Sequence, residues 1–492
     1  MPSESRFHRA ATPVLLALCS LYAAALWAGD TGACTVTGPR AADYAVVVSA
    51  ATDADPAWHA VVAALVAKHH ATTVVHSGSV TECLPGLREV FPRFACFVAR
   101  PEEAGRQYVV DVSRLTRALD DDPYTDVVWG IVTGYEPNDA LRIANHSEPL
   151  TVTRAAAGCG IDLNAFQQGV WYSEGEKNGM CEKRSGQQPA KKHGPDDTTK
   201  ALVDELNAGH TGYFQTSGHA SSRDWQIGYS FRNGQFRCRN GQLLGLSSDG
   251  KRYDINSPNP KVYAPLGNCL IGWIEDRECM ALAWMHTGGA YQMAGYVVPT
   301  WYGIAWGIAD YFVGPQGQYD YAESVFFNNQ WAVQQLESRF PQFARLNVAA
   351  YDMERNPGVL DQFAQAHGVS DRDALGLLWD RDTIAFYGDP AWEARTAPVR
   401  PAPWTCFLTE RDGRFTFAVK ALSDGTWGRS PALLFPRRLR GVRITSGADL
   451  QPVIAENFIL LPLKGSYKRG DTFRVEWRAS SALPARTGGE GR

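Results

Sequence analysis

The amino-acid sequence predicts an α/β protein: a mostly parallel sheet sandwiched by helices in two subdomains, followed by a small all-β sandwich. Three patterns predict it. Short β-branched runs alternate with stretches of helical periodicity from residue 43 onward, the signature of strands whose crossovers cover both faces of one sheet. The alternation continues, with longer insertions, to about residue 395. After the proline-rich "APVRPAPW" helical periodicity stops, and only alternating runs and turn residues remain. At 492 residues the chain is also too long for one compact core.

The first unit, 40–150, opens with the strand "DYAVVVSA". In "DPAWHAVVAALVAKHH" Trp58, Val61, Val62, Leu65 and Val66 fall on one helical stripe, and Asp55 and Pro56 supply a start signal. His69 and His70 at its end read as solvent-facing. "ATTVVHSG", "FACFVARP" and "TDVVWGIVTG" read as buried strands, and "NDALRIANHS" as a short helix.

The second unit, 151–396, begins with the strand-like "LTVTRAAA". Residues 173–197 lack periodicity and read as an exposed loop. "TTKALVDELNAG" is a helix stopped by Gly209, and "TGYFQTSGHASSRDW" a strand that breaks into small polar residues at His219. Two "RNGQ" turns predict a β excursion before the next strand, "KVYAPLGNCLIGW", which breaks at Cys269. An "ECMALAWMHTGG" helix, an "AYQMAGYVVPT" strand and a long helix over "YDYAESVFFNNQWAVQQLESRF" follow. Residues 403–480 form the terminal sandwich.

The first 33 residues carry a different signal. "MPSESRFHR" is basic, "AATPVLLALCSLYAAALWAG" is continuously apolar, and small residues follow. That is the order of an export signal, or of an anchor if it is not removed. Either places the bulk of the chain outside the cytoplasm. A net charge of −4 offers no basic field for nucleic acid, so membrane contact is expected only through this segment. Ten cysteines in an oxidising compartment predict disulfides, with Cys83–Cys96 and Cys159–Cys181 as plausible local bridges. Four bridges plus an unpaired Cys269 is one solution, and partial pairing is another.

Chemistry concentrates at the two broken strands. Reactive groups in parallel sheets gather at strand carboxyl ends. A thiolate beside a base is a nucleophile, and an imidazole, titrating near 6.5 in solution, can be that base. Small neighbours (Gly218, Ala220, Gly267) leave room for backbone N–H groups to meet an oxyanion, worth roughly 3 kcal/mol per donor where measured. The sequence has no HExxH, no paired CxxC and no phosphate loop. "DDDPYTD" (120–126) could offer carboxylates to a structural calcium ion; no other cofactor is required.

The succession "TSGHASSRDW", "VYAPLGNCLIGWIEDRECMALAWMHTGGAYQMAGYVVPTWYG" and "FYGDPAW" resembles the gingipain family of cysteine peptidases, which have the caspase-like fold. "PYTDVVWGIVTGYEPNDALRIA" resembles the end of that family's first subdomain. The resemblance spans roughly 40–480. It implies an immunoglobulin-like terminal sandwich and an endopeptidase acting on protein or peptide substrates. By position, His219 is the acid/base and Cys269 the nucleophile. Ala220 and Cys269 are then the backbone oxyanion donors, and Trp301 a wall of the pocket for the residue preceding the scissile bond. Two departures stand out. The family usually has His-Gly where this chain has His219-Ala220, and Asp162, Glu174 and Glu176 match no specificity-acid motif and read as loop or solvent-facing residues. A non-catalytic surface or binding protein that keeps the fold is the alternative.

Overall fold

The computed structural model describes residues 29–30, 34–39, 43–354 and 356–481. The apolar run 10–29, apart from Gly29, lies outside them, as does Cys19. No helix among the described residues is long and apolar enough to cross a membrane.

A 14-stranded sheet organises the α/β part. Its strands in chain order are β1 (Gly29–Asp30), β2 (Cys34–Thr37), β3 (Tyr44–Ser49), β4 (Thr72–His76), β5 (Phe94–Val98), β6 (Val128–Val132) and β7 (Arg154–Ala157). They continue as β8 (Gln168–Tyr172), β9 (Gly179–Lys183), β10 (Ala190–His193), β11 (Tyr213–Gly218), β12 (Lys261–Asn268), β13 (Ala290–Tyr296) and β14 (Ile384–Tyr387). Across the sheet the order is β1-β2-β4-β3-β5-β6-β14-β13-β12-β11-β7-β8-β9-β10.

The block from β4 to β14 is parallel, and so is the block from β13 to β8; the two meet antiparallel at β13 and β14. The carboxyl ends of β11 and β12 therefore lie on the opposite edge from those of β3, β5 and β6. Sheet interiors are apolar on both faces: Ala45–Val48, Phe97–Val98 and Val262–Ala264 are all fully buried. Helices covering both faces demand that pattern.

Local signals act as read. Asp55 accepts the Ala57 N–H and Pro56 opens helix α1 (Pro56–His69), whose buried stripe is Trp58, Val61, Val62 and Leu65. A capping box between Asp320 and Glu323 opens the long helix Tyr321–Arg339. Only the second "RNGQ" makes a tight two-residue hairpin turn, with Asn240 and Gly241 at positive φ between strands Gln235–Arg239 and Gln242–Leu246. In the first, the Asn233 side chain instead accepts the Thr198 N–H.

Three expectations are corrected. Residues 173–197 are not simply a loop but carry the antiparallel β9–β10 edge. All four β10 residues are exposed, so backbone pairing rather than burial sets this strand and no periodicity marks it. His69 does not face solvent. Its ring stacks on Tyr44 with centroids 4.1 Å apart, and Nε2 lies 2.8 Å from Asp389 of "YGDP". The expected bridges are absent: Cys83, Cys96, Cys159, Cys181, Cys238, Cys269, Cys279 and Cys406 are free thiols. Cys83 sits in the turn Val80–Cys83 and Cys96 within β5; both are fully buried and packed in the apolar core.

Beyond the proline-rich stretch the chain forms separate antiparallel sheets. One has four strands (Trp404–Arg411, Arg414–Ala421, Thr472–Ser481, Leu439–Ser446) and another three (Ala432–Leu434, Phe458–Leu460, Val453–Ile454). Phe417, Val475, Trp477 and Phe458–Leu460 bury their apolar faces.

Candidate active site

β11 and β12 are parallel neighbours, with Gly218 opposite Asn268. His219 and Cys269 therefore leave the sheet at matching positions, from strands spaced about 4.8 Å apart. His219 is exposed and Cys269 half-buried.

The strand ends are tied side chain to backbone. Asn268 donates through Nδ2 to the Gly218 carbonyl at 2.9 Å and accepts the Thr216 hydroxyl at 2.6 Å. Trp225, fully buried, donates its indole N–H to the Ser217 carbonyl at 2.7 Å. Gly218 has φ +93°, a conformation a side chain would strain, and it turns the chain sharply before His219.

Past His219 the backbone doubles back. The Gln226 N–H donates to the His219 carbonyl and the Ser221 N–H to the Asp224 carbonyl, each at 2.9 Å. These two bonds flank the Ala220–Trp225 bridge and leave the Ala220 N–H pointing away from it. Past Cys269, Leu270 takes φ 60°, unusual for a residue with a Cβ, and its N–H donates to the Val298 carbonyl. Left-handed backbone at a non-glycine costs about 1 kcal/mol; here it turns the chain immediately behind the thiol.

The Cys269 thiol donates to the Thr300 carbonyl, 3.7 Å away. Thr300 begins the segment that carries Trp301. A buried carboxylate fixes that segment: Asp380 accepts the Tyr296 hydroxyl (2.8 Å) and the N–H groups of Gly303 (3.1 Å) and Ile304 (2.8 Å). Burial pushes Asp380 up to about 6, against the pull of those donors. Trp301 is half-buried, edge-on to Tyr302, with the Arg372 guanidinium 5.7 Å from its ring.

Four further residues border the site. The Tyr229 ring stacks on His219 with centroids 5.0 Å apart, although Tyr229 is 59% exposed. Trp306 approaches Gly267 so closely that a Cβ there would lie 2.9 Å from its ring and equally close to the Ser217 hydroxyl. Glu174 is half-buried, with Oε2 enclosed and without a hydrogen-bond partner. Burial raises its carboxyl, opposed by a hydrogen bond with Ser217. Asn268 is the fourth, through the bonds above.

The other two acids lie apart in role. Asp162 caps the turn Leu163–Ala165 and pairs with Arg400 at 2.8 Å, and Glu176 is exposed. Adjacency to Cys269 was the one sequence signal for Asn268. Tyr229, Trp306 and Glu174 reach the site through contacts that no motif encodes.

Comparison with protein-family models, with curated proteins and with solved structures gives no match.

Proposed function

We propose that the protein is an exported, gingipain-like cysteine endopeptidase with a caspase-like catalytic region and an immunoglobulin-like terminal sandwich. One observation carries the reading: a thiol and an imidazole leave adjacent parallel strands at paired positions. The backbone turns behind both groups, through Gly218 and Leu270, support it further.

In the proposed reaction His219 takes the Cys269 proton and the sulfur attacks the substrate carbonyl carbon. The C–S bond forms as the carbonyl π pair moves onto oxygen. The N–H groups of Ala220 and Cys269 would hold that oxyanion. Collapse breaks the C–N bond, and His219 passes its proton to the leaving amine. Water then attacks the thioester, giving its proton to His219. Release of the acid returns that proton to sulfur. Trp301 would wall the pocket for the residue before the cut.

Iodoacetamide under native conditions should label Cys269 first. The other half-buried thiols, Cys238 and Cys406, are held protonated, because burial pushes both up to about 12. Stoichiometric labelling should abolish cleavage of a mixed peptide library. Turnover that survives Cys269→Ala overturns the mechanism. Absence of any cleavage by the unmodified protein favours a binding protein that keeps the fold.

A further inference from the structure

The terminal β module has a charge balance opposite to that of the whole chain. Residues 403–480 hold 13 Lys and Arg against 7 Asp and Glu, whereas the full sequence has 48 against 52. Part of that excess lies on the outer face of the four-stranded sheet. Along the strands Arg414–Ala421 and Thr472–Ser481 successive side chains point to opposite faces. Phe415, Phe417, Val475 and Trp477 turn inward and are buried. Arg414, Thr416, Arg474, Glu476 and Arg478 therefore face outward.

Strand register aligns four cations on this face. Arg411 is opposite Arg414, Arg414 opposite Arg478, and Arg478 opposite Arg443. All four are exposed. They make a single row across four strands, about 14 Å long at a strand spacing of about 4.8 Å. Like charges directly opposite one another destabilise a sheet, and local acids do not relieve these. Asp412 reaches only Arg411, at 3.9 Å and with both side chains almost fully exposed. Glu476 is taken by Arg474 at 2.6 Å, and Glu410, opposite the inward Phe415, by Arg437. Among the described residues Arg414, Arg443 and Arg478 make no ion pair.

The neighbouring row is made of Thr409, Thr416, Glu476 and Ser446, again opposite one another. It offers hydroxyl and carboxylate groups beside the cations and no ring. The exposed ring on this face, Phe407, pairs with Ala418 and lies two rows from the arginines.

We propose that this face binds a linear anionic polysaccharide. The arginine row pairs with carboxylate or sulfate groups on successive sugars, and the neighbouring row meets their hydroxyls. Guanidinium forks grip such oxyanions through two parallel bonds. Sugar rings in an extended chain repeat at about the spacing of adjacent strands, so each arginine meets its own sugar. A membrane surface would call for charge spread in two dimensions, whereas the row beside the arginines contains an acid. Single-stranded nucleic acid would call for rings among the cations to stack its bases. The surface is independent of the thiol and imidazole.

The full chain should bind a heparin octasaccharide in calorimetric titration with a Kd of about 10 μM or tighter. Raising salt from about 50 to about 200 mM should weaken binding at least tenfold. Arg414→Gln/Arg478→Gln removes the centre of the row. It should weaken binding at least tenfold while the unfolding midpoint stays or rises, because facing like charges are gone. Lys468→Gln/Arg469→Gln removes the same charge from the exposed turn before Thr472, about 20 Å along the strand from Arg478. It should leave the affinity within threefold. No heparin binding by the unmodified chain overturns the proposal, as does a row variant that retains the affinity. Equal losses in the two double variants overturn it too, since net charge alone then explains binding. Tighter binding of an oligothymidylate of equal charge assigns the face to nucleic acid, and tighter binding to phosphatidylcholine–phosphatidylglycerol vesicles assigns it to membranes; either overturns the proposal. Should the row variant fail to fold, Arg443→Gln alone decides, by a loss of at least threefold.

Discussion

The Asn268 side chain donates to the Gly218 carbonyl across 2.9 Å, so each of the two proposed reactive residues follows directly on a residue of one bond. The same side chain accepts the Thr216 hydroxyl, itself 3.0 Å from the Tyr263 hydroxyl. Asn268 and Thr216 are fully buried. Asn268→Ala leaves both Thr216 and the Gly218 carbonyl without this partner, which costs about 1–3 kcal/mol. Chemical denaturation should show that loss. Cleavage should fall by a larger factor than the fraction unfolded explains, because the spacing of His219 and Cys269 relaxes.

Tyr229 tests orientation rather than stability. It is largely exposed, and its ring contact with His219 is worth about 1 kcal/mol. Tyr229→Ala should lower the unfolding midpoint by no more than about 2 °C, lower kcat several-fold and shift the pH–rate profile. Tyr229→Phe keeps the ring and should restore both. If Ala and Phe variants behave alike, stacking does not position the imidazole.

Asp389 joins the end of β14 to the first unit. It accepts the Tyr44 hydroxyl at 2.8 Å and lies 2.9 Å from Lys68 Nζ and 2.8 Å from His69 Nε2. Burial alone would raise its carboxyl, but His69 and Lys68 outweigh burial and hold it at about 2. Its folded value is thus below the unfolded 3.8. The stability it contributes is present above 3.8 and is lost as pH falls toward 2, about 2 kcal/mol in all. Asp389→Asn should cost roughly 3 kcal/mol at pH 7. The gap between the two proteins should narrow to about 1 kcal/mol near pH 2. A gap independent of pH would mean that the carboxylate charge contributes nothing.

His69 shows where sequence reading stops. The stripe Trp58–Leu65 lies within one helix and is legible because its partners repeat every three or four residues. The partner of His69 is 320 residues away, and only the closed sheet brings Asp389 to it. β14 is of the same kind: it enters between β6 and β13 after several helices, and its own four residues do not announce an antiparallel junction. The β9–β10 edge escaped for the opposite reason, since exposed lysines on a paired strand look like loop. His219 and Cys269 could be singled out because each follows a β run at a small-residue break. Their pairing required β11 and β12 to be neighbours, which the intervening β excursion hides. Tyr229 belongs to that excursion.

Gly267 lies one strand position inside the paired end, opposite Ser217. A methyl group there would lie 2.9 Å from both the Ser217 hydroxyl and the Trp306 ring, too close for either to stay in place. Ser217 is buried, whereas Trp306 is 37% exposed and has room to move outward. Gly267→Ala should therefore displace the Trp306 indole at a stability cost of about 1–2 kcal/mol. It should also reshape the surface beside Cys269. Substrate side chains that rest on this wall should then bind differently, raising KM more than lowering kcat. Trp306→Ala in the same background removes the clash with the indole and should recover part of the stability lost to the methyl group. A double variant no more stable than Gly267→Ala would place the strain at Ser217 instead.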